Sequence, residues 1–179
     1  MKTKIIFIVI FILSLSLISC SSIEINNEDI NKFNSDLADW KNYVDVVMAM
    51  GEEHTINIQR INKTSESAKN NDDLLNAYNS LFSEYKNWSN EISNIIPPNI
   101  ANDAHSYLLE FLRLAQVRSS KLISYCEGDN PNYDAEEDNE LLQQAQNAEI
   151  NGQDEYKRIY KYLNEEAEKL RLKKPFQNY

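Results

Sequence analysis

Turn-forming residues are scarce in this chain, which has three glycines and four prolines. A fold of many short strands needs tight turns at regular intervals, and those turns draw on Gly and Pro. The shortage argues against an all-β architecture and favours a few long helices. Histidine is rarer still, with only His54 and His105. The residues three positions before them are Gly51 and Asn102, so the Glu-x-x-His pairs that di-iron bundles turn inward are missing. His-Glu-x-x-His, paired zinc cysteines, Cys-x-x-Cys-His, Gly-x-Ser-x-Gly and a glycine-rich phosphate loop do not occur either. No cofactor and no metal are therefore expected, and an enzyme is not the favoured reading. Cations are the third shortage: 18 Lys and Arg stand against 28 Asp and Glu, a net charge of −10. So acidic a surface repels a phosphate backbone, and nucleic acid is not an expected partner.

What is present begins at the N-terminus. Lys2 and Lys4 precede an unbroken apolar run, Ile5 to Leu13, which Ser14-Leu15-Ser16-Leu17-Ile18 extends before Ser19-Cys20. The run has the length of a signal-peptide core and falls short of the ~20 residues that span a bilayer as a helix. Leu17-Ile18-Ser19-Cys20 resembles the lipobox of prokaryotic lipoproteins: an aliphatic residue, a small or aliphatic one, a small one, then the lipidated cysteine. The resemblance implies diacylglycerol in thioether linkage on Cys20 and cleavage before it, leaving residues 1–19 as a signal peptide. Two or three acyl chains, at ~0.8 kcal/mol per buried CH₂, hold a protein stably where one is marginal. The expected location is the extracytoplasmic face of a cell membrane or outer membrane, with the membrane itself as partner through the lipid. Residues 20–27 form a short tether, whose reach from Ser21 to Asn27 is at most ~23 Å at ~3.3 Å per residue. Removing the leader takes away Lys2 and Lys4 and no acid, so the mature chain is more acidic still. Once Cys20 is acylated only Cys126 is left, which excludes an intramolecular disulfide and reads as a small buried hydrophobe near a helix end.

The mature chain divides into four amphipathic segments. Residues 28–67 carry Ile30, Phe33, Leu37, Trp40, Val44 and Val47 at alternating spacings of three and four, and the register continues through Gly51, His54, Ile58 and Ile61. Asn26 or Asn27 suits the cap. Residues 73–96 repeat the pattern from Leu74 to Ile95 and stop at Pro97-Pro98, since proline has no N–H and disfavours helix in the residue before it. Residues 99–127 carry Ala104, Leu108, Phe111, Ala115, Leu122 and Tyr125, and Gly128 marks the stop. Residues 134–172 open on acids and close on Lys169, Arg171, Lys173 and Lys174, which suits the helix dipole; 173–179 is a tail. Short connections between such helices predict an all-α, antiparallel up-down-up-down four-helix bundle. The outer two helices are longer, so either they overhang or the first breaks near Gly51.

Few residues stand out chemically. In an antiparallel pair Gly51 and Gly152 come to nearly the same height, which predicts a close approach or a small pocket beside His54. His54 reads as a core histidine bonded to a neighbour, with ligand binding or pH sensing as the other reading. His105 falls in the first turn of its helix and reads as surface. The acidic stretch near Asp129 lacks the spacing and central glycine of a calcium loop. Tyr43, Tyr160 and Tyr162 lie off the apolar stripes and would suit contact with a partner if exposed together. The expectation is a lipid-anchored bundle that binds or scaffolds, its protein partner unidentified. A small-ligand or metal-binding bundle with an internal pocket is the alternative, and a hydrolase with an unrecognised site the second.

Overall fold

The computed structural model describes residues 26–128 and 134–177. The expected signal peptide, Cys20 and the tether up to residue 25 lie outside the described residues, as do the acidic loop at 129–133 and the last two residues. Four helices follow one another: α1 (Asn27–Glu66), α2 (Asn71–Ser93), α3 (Asn102–Glu127) and α4 (Ala135–Lys169). A 3₁₀ turn, Asn99–Ala101, leads into α3. No strand occurs among the described residues. None of their helices is long and apolar enough to cross a membrane.

Capping explains the boundaries. The Asn26 side chain accepts the Glu28 N–H at 3.1 Å. Asn70 accepts from Asp73 N–H at 2.8 Å, while the Asp73 carboxylate accepts the Lys69 N–H at 3.0 Å. One oxygen of Asp134 accepts from both Glu136 and Glu137. Each bond satisfies an N–H that has no partner inside its helix, worth ~1 kcal/mol per cap. α2 ends at Ser93, three residues before the expected stop, because its last turn closes on Asn94 and Ile95 before Pro97 forbids helix. Gly128 ends α3 in the left-handed conformation at φ 81°, where a side chain would be strained.

α1 runs through Gly51 without a break, so its extra length is overhang. Tyr107 against Gly152 and Asp103 near Arg158 set α3 against α4; Trp40 beside Tyr156 sets α1 against α4. Carried along at 1.5 Å per residue, these registers put the start of α1 and the end of α4 about ten residues, ~15 Å, past the α2–α3 turn. The projecting end is closed by the C-terminal tail. Arg171 turns left-handed at φ 56°, and Leu172 N–H bonds to Ala167 C=O at 2.7 Å, which reverses the chain as a Schellman cap. The buried amide of Asn164 then bonds both the C=O and the N–H of Phe176. The Phe176 ring packs edge-on against Tyr160 at 4.5 Å.

The core runs the length of the bundle. Its largest fully buried side chains are Trp40, Ile92, Leu112, Ile159 and Leu163, so every helix contributes. At ~1.5–3 kcal/mol per buried aliphatic or aromatic side chain, this burial outweighs any capping term. α3 packs along both α2 and α4, α1 packs along α2, and α1 touches α4 only sparsely. The glycines serve different interfaces. A Cβ on Gly51 would lie 3.5 Å from the Trp88 ring of α2, and one on Gly152 would lie 3.5 Å from Tyr107 Cβ of α3. Both are ordinary contacts, so there is room for a methyl. Gly51→Ala and Gly152→Ala are each expected to stabilise the bundle by about 0.5–1 kcal/mol in urea unfolding, the usual gain of Ala over Gly inside a helix. A loss of similar size would show that the helices require bare backbone there.

Candidate functional site

α1 is tied to its neighbours by two polar–aromatic clusters. The first centres on His54. Its Nδ1 lies 2.8 Å from a Glu84 carboxylate oxygen and its Nε2 3.2 Å from Glu91, both on α2. Asn57 donates to the same Glu84 oxygen at 2.9 Å. The imidazole stacks flat on Trp88, 5.3 Å between centroids. Glu84 and Glu91 are seven residues apart and so rise from one face of α2, and the Trp88 ring between them lies beside Gly51 of α1. His54 is buried, as its register predicts, but its nitrogens are spent on this clamp between helices. No three of His, Cys, Asp and Glu are gathered in metal-binding fashion among the described residues.

The second cluster joins α1 to α4 and α3. Trp40 is wholly buried between Tyr43, Tyr156 and Tyr160, with ring centroids 5.9, 5.1 and 5.8 Å away. Such offset and edge-on pairs add ~0.5–1.5 kcal/mol each beyond the area they bury. The Tyr43 hydroxyl approaches Tyr156, and its oxygen lies 3.2 Å from His105 Nδ1. Burial pushes both phenols up, so they stay protonated. His105 is buried, contrary to its expected surface position, because Tyr43 reaches it from α1. Tyr43 is buried too, Tyr160 half-buried and Tyr162 exposed, so the three off-stripe tyrosines do not form one exposed patch.

The sparse contact between α1 and α4 leaves a cleft at the end of the bundle where α1 stops and α4 begins. It holds about 390 Å³. Tyr78, Leu81 and Tyr85 of α2 and Phe111, Leu114 and Leu122 of α3 form its floor and walls. Leu142 and Ala145 of α4 face Asn62 and Glu66 of α1 across the opening. Arg118 also lines it, bound through two nitrogens to the Asp138 carboxylate at 2.8 and 2.9 Å. Burial pushes the Tyr78 and Tyr85 phenols up, while the Arg118 charge draws them partly back.

A second, shallower cleft of about 660 Å³ lies at the other end, between Asp36 and Asp39 of α1, Pro97 and Pro98 of the turn, and Arg158 and Tyr162 of α4. Its carboxylates face solvent and cations: Asp103 and Arg158 are more than half exposed and 3.8 Å apart, a solvated pair. The expected pocket of Gly51, His54 and Gly152 is not one of these two clefts; none of the three lines either. Gly51 and Gly152 do not meet, because each is turned to the neighbour its helix packs on. The cleft that does exist left its apolar residues in the sequence, but as ordinary members of the buried stripes. Comparison of the chain with known protein families, with curated proteins and with solved structures finds no match.

Two outcomes test the clusters. Removing the His54 ring strands Glu84 against an apolar surface, so His54→Ala is expected to cost about 2 kcal/mol. Glu84→Gln on that background should add little, giving a coupling of about 1 kcal/mol or more in a double-mutant cycle. Full additivity would show the clamp to be inert. For His105, burial lowers the folded-state pKa below the unfolded 6.5. The unfolded chain then takes up a proton first as pH falls, so the contribution is present above pH 6.5 and lost below it. Urea unfolding between pH 7.5 and 5 should show that decline, and His105→Gln should flatten it. An unchanged slope in the variant would place the titration elsewhere.

Proposed function

We propose that this chain is an extracytoplasmic lipoprotein that acts by binding, not by catalysis. The observation that carries the reading is the N-terminal sequence itself: a two-lysine start, an apolar core and Leu17-Ile18-Ser19-Cys20. In this reading the leader is removed before Cys20, acyl chains on that cysteine sit in the outer leaflet of a cell membrane or an outer membrane, and about seven residues lead to the first turn of α1. Lipid carries the attachment, since an acidic body gains nothing from anionic headgroups.

The binding role is supported by what the helices present. A bundle whose polar clusters join helix to helix, with a cleft of mixed apolar and polar lining opening between two of them, offers a place to hold a partner. A protein partner on the exposed faces is the leading occupant of such an anchored scaffold. The cleft at Tyr78 and Phe111 favours the second reading, a small ligand.

Growth of the source cells with radiolabelled palmitate tests the anchor. The wild-type chain is expected to take up label and to sediment with membranes. Cys20→Ala is expected to take up none and to lose that attachment. Equal labelling of the two would show that Cys20 is not the lipidated residue.

A further inference from the structure

We propose that the cleft between α1 and α4 binds a small uncharged amphiphile, a hydrocarbon body bearing one hydroxyl or carbonyl head. The proposal rests on the reading of the bundle as a binding module but not on its lipid anchor.

Size sets the first limit. At about 390 Å³ the cleft stands at the lower end of the ~300–1,000 Å³ spanned by small-molecule sites. A polypeptide helix is too thick for it. Its walls set the second limit. Leu81, Leu114 and Leu122 give an aliphatic floor, and Tyr85 and Phe111, crossed edge-on at 6.4 Å, offer ring surface. Burying a flat or chain-like hydrocarbon there removes apolar surface from water on both partners.

Charge sets the third limit. The one cation in the lining, Arg118, is held bidentately by Asp138, so its charge is already compensated. Glu66 sits at the rim, and the chain as a whole carries −10. An anionic head would be repelled by that body, and a cationic one would find no carboxylate inside the cleft, since Glu66 is exposed at the rim and Asp138 is engaged by Arg118. The head group follows from the hydroxyls. Neither Tyr78 nor Tyr85 spends its phenol on a hydrogen bond to another described residue, and burial keeps both protonated beside Arg118. Two half-buried phenols on the cleft wall are donors that a carbonyl or hydroxyl can accept from.

The test uses the full-length protein in phosphatidylcholine nanodiscs, with empty nanodiscs as the blank. The probe is 6-propionyl-2-dimethylaminonaphthalene, an uncharged naphthalene carrying one ketone, whose emission moves to the blue in apolar surroundings. A saturable blue-shifted signal at one probe per chain is expected above the blank. Ala145→Phe, which fills the cleft, and Leu142→Glu, which puts a charge at its exposed rim, should each weaken binding about ten-fold or more. Leu142 is solvent-facing, so its variant keeps the fold, as helical circular dichroism would verify. The anionic 8-anilinonaphthalene-1-sulfonate should bind about ten-fold more weakly than the neutral probe. No signal above the blank, equal binding by both variants, or tighter binding of the sulfonate would overturn the proposal. The palmitate experiment is independent of this one: loss of probe binding with Cys20 labelling intact sinks the cleft and leaves the anchor, and the reverse result does the opposite.

Discussion

Trp40 is where the bundle closes. α3 packs along both α2 and α4 through long apolar faces, and α1 lies along α2, but α1 and α4 meet only narrowly. At that meeting one indole is wholly enclosed by Tyr43, Tyr156 and Tyr160. Everything on either side follows from its position. Toward the N-terminus of α1, the two long helices project past the α2–α3 turn and are closed off by the returning tail with Phe176. Toward the other end they are free to part, and the cleft over Tyr78 and Phe111 is the result.

A contact this concentrated needs α1 to be held in rotation as well as in place. The His54 clamp does that about four turns further along α1, where it is fastened to α2. Glu84 and Glu91 grip the imidazole at both nitrogens while Trp88 lies beneath it, so α1 cannot turn about its own axis without breaking three interactions. Both indole N–H groups, of Trp40 and of Trp88, are buried with no acceptor among the described residues. An unmet buried donor costs ~1–3 kcal/mol, and the apolar burial of two tryptophans offsets it. The two rings are kept for shape and contact and not for hydrogen bonding.

Much of this was legible in the sequence, and the illegible part has a common cause. Every residue of the α1 stripe from Ile30 to Ile61 is buried or half-buried, because a 3.6-residue period fixes which side of a helix faces the core whatever lies opposite. Pro97, Gly128 and the Asn and Asp caps act on their own backbone, so the helix limits were open to reading within a few residues. Tyr43, His105 and Asn164 were not. Their burial depends on partners 62 residues away for the Tyr43–His105 pair and 12 for Asn164 and Phe176, and periodicity is silent about such pairings. Tyr43 lies off the stripe since α1 packs on two neighbours and buries a wider arc than one stripe covers. Gly51 and Gly152 stay apart for a related reason. Equal height along the bundle was sound reasoning, but height says nothing about how far two helices stand apart.

That separation is the quantity on which the account turns. Spin labels at Gln59→Cys on α1 and Gln146→Cys on α4, both exposed positions, report it directly by electron–electron distance measurement. With Trp40 present a single narrow distance is expected. Trp40→Ala should lengthen and broaden it, while a control pair at Ser120→Cys and Gln146→Cys, across the α3–α4 interface, stays unchanged. An α1–α4 distance that is the same with and without the indole would contradict the claim that Trp40 sets the closure of the bundle and the width of its cleft.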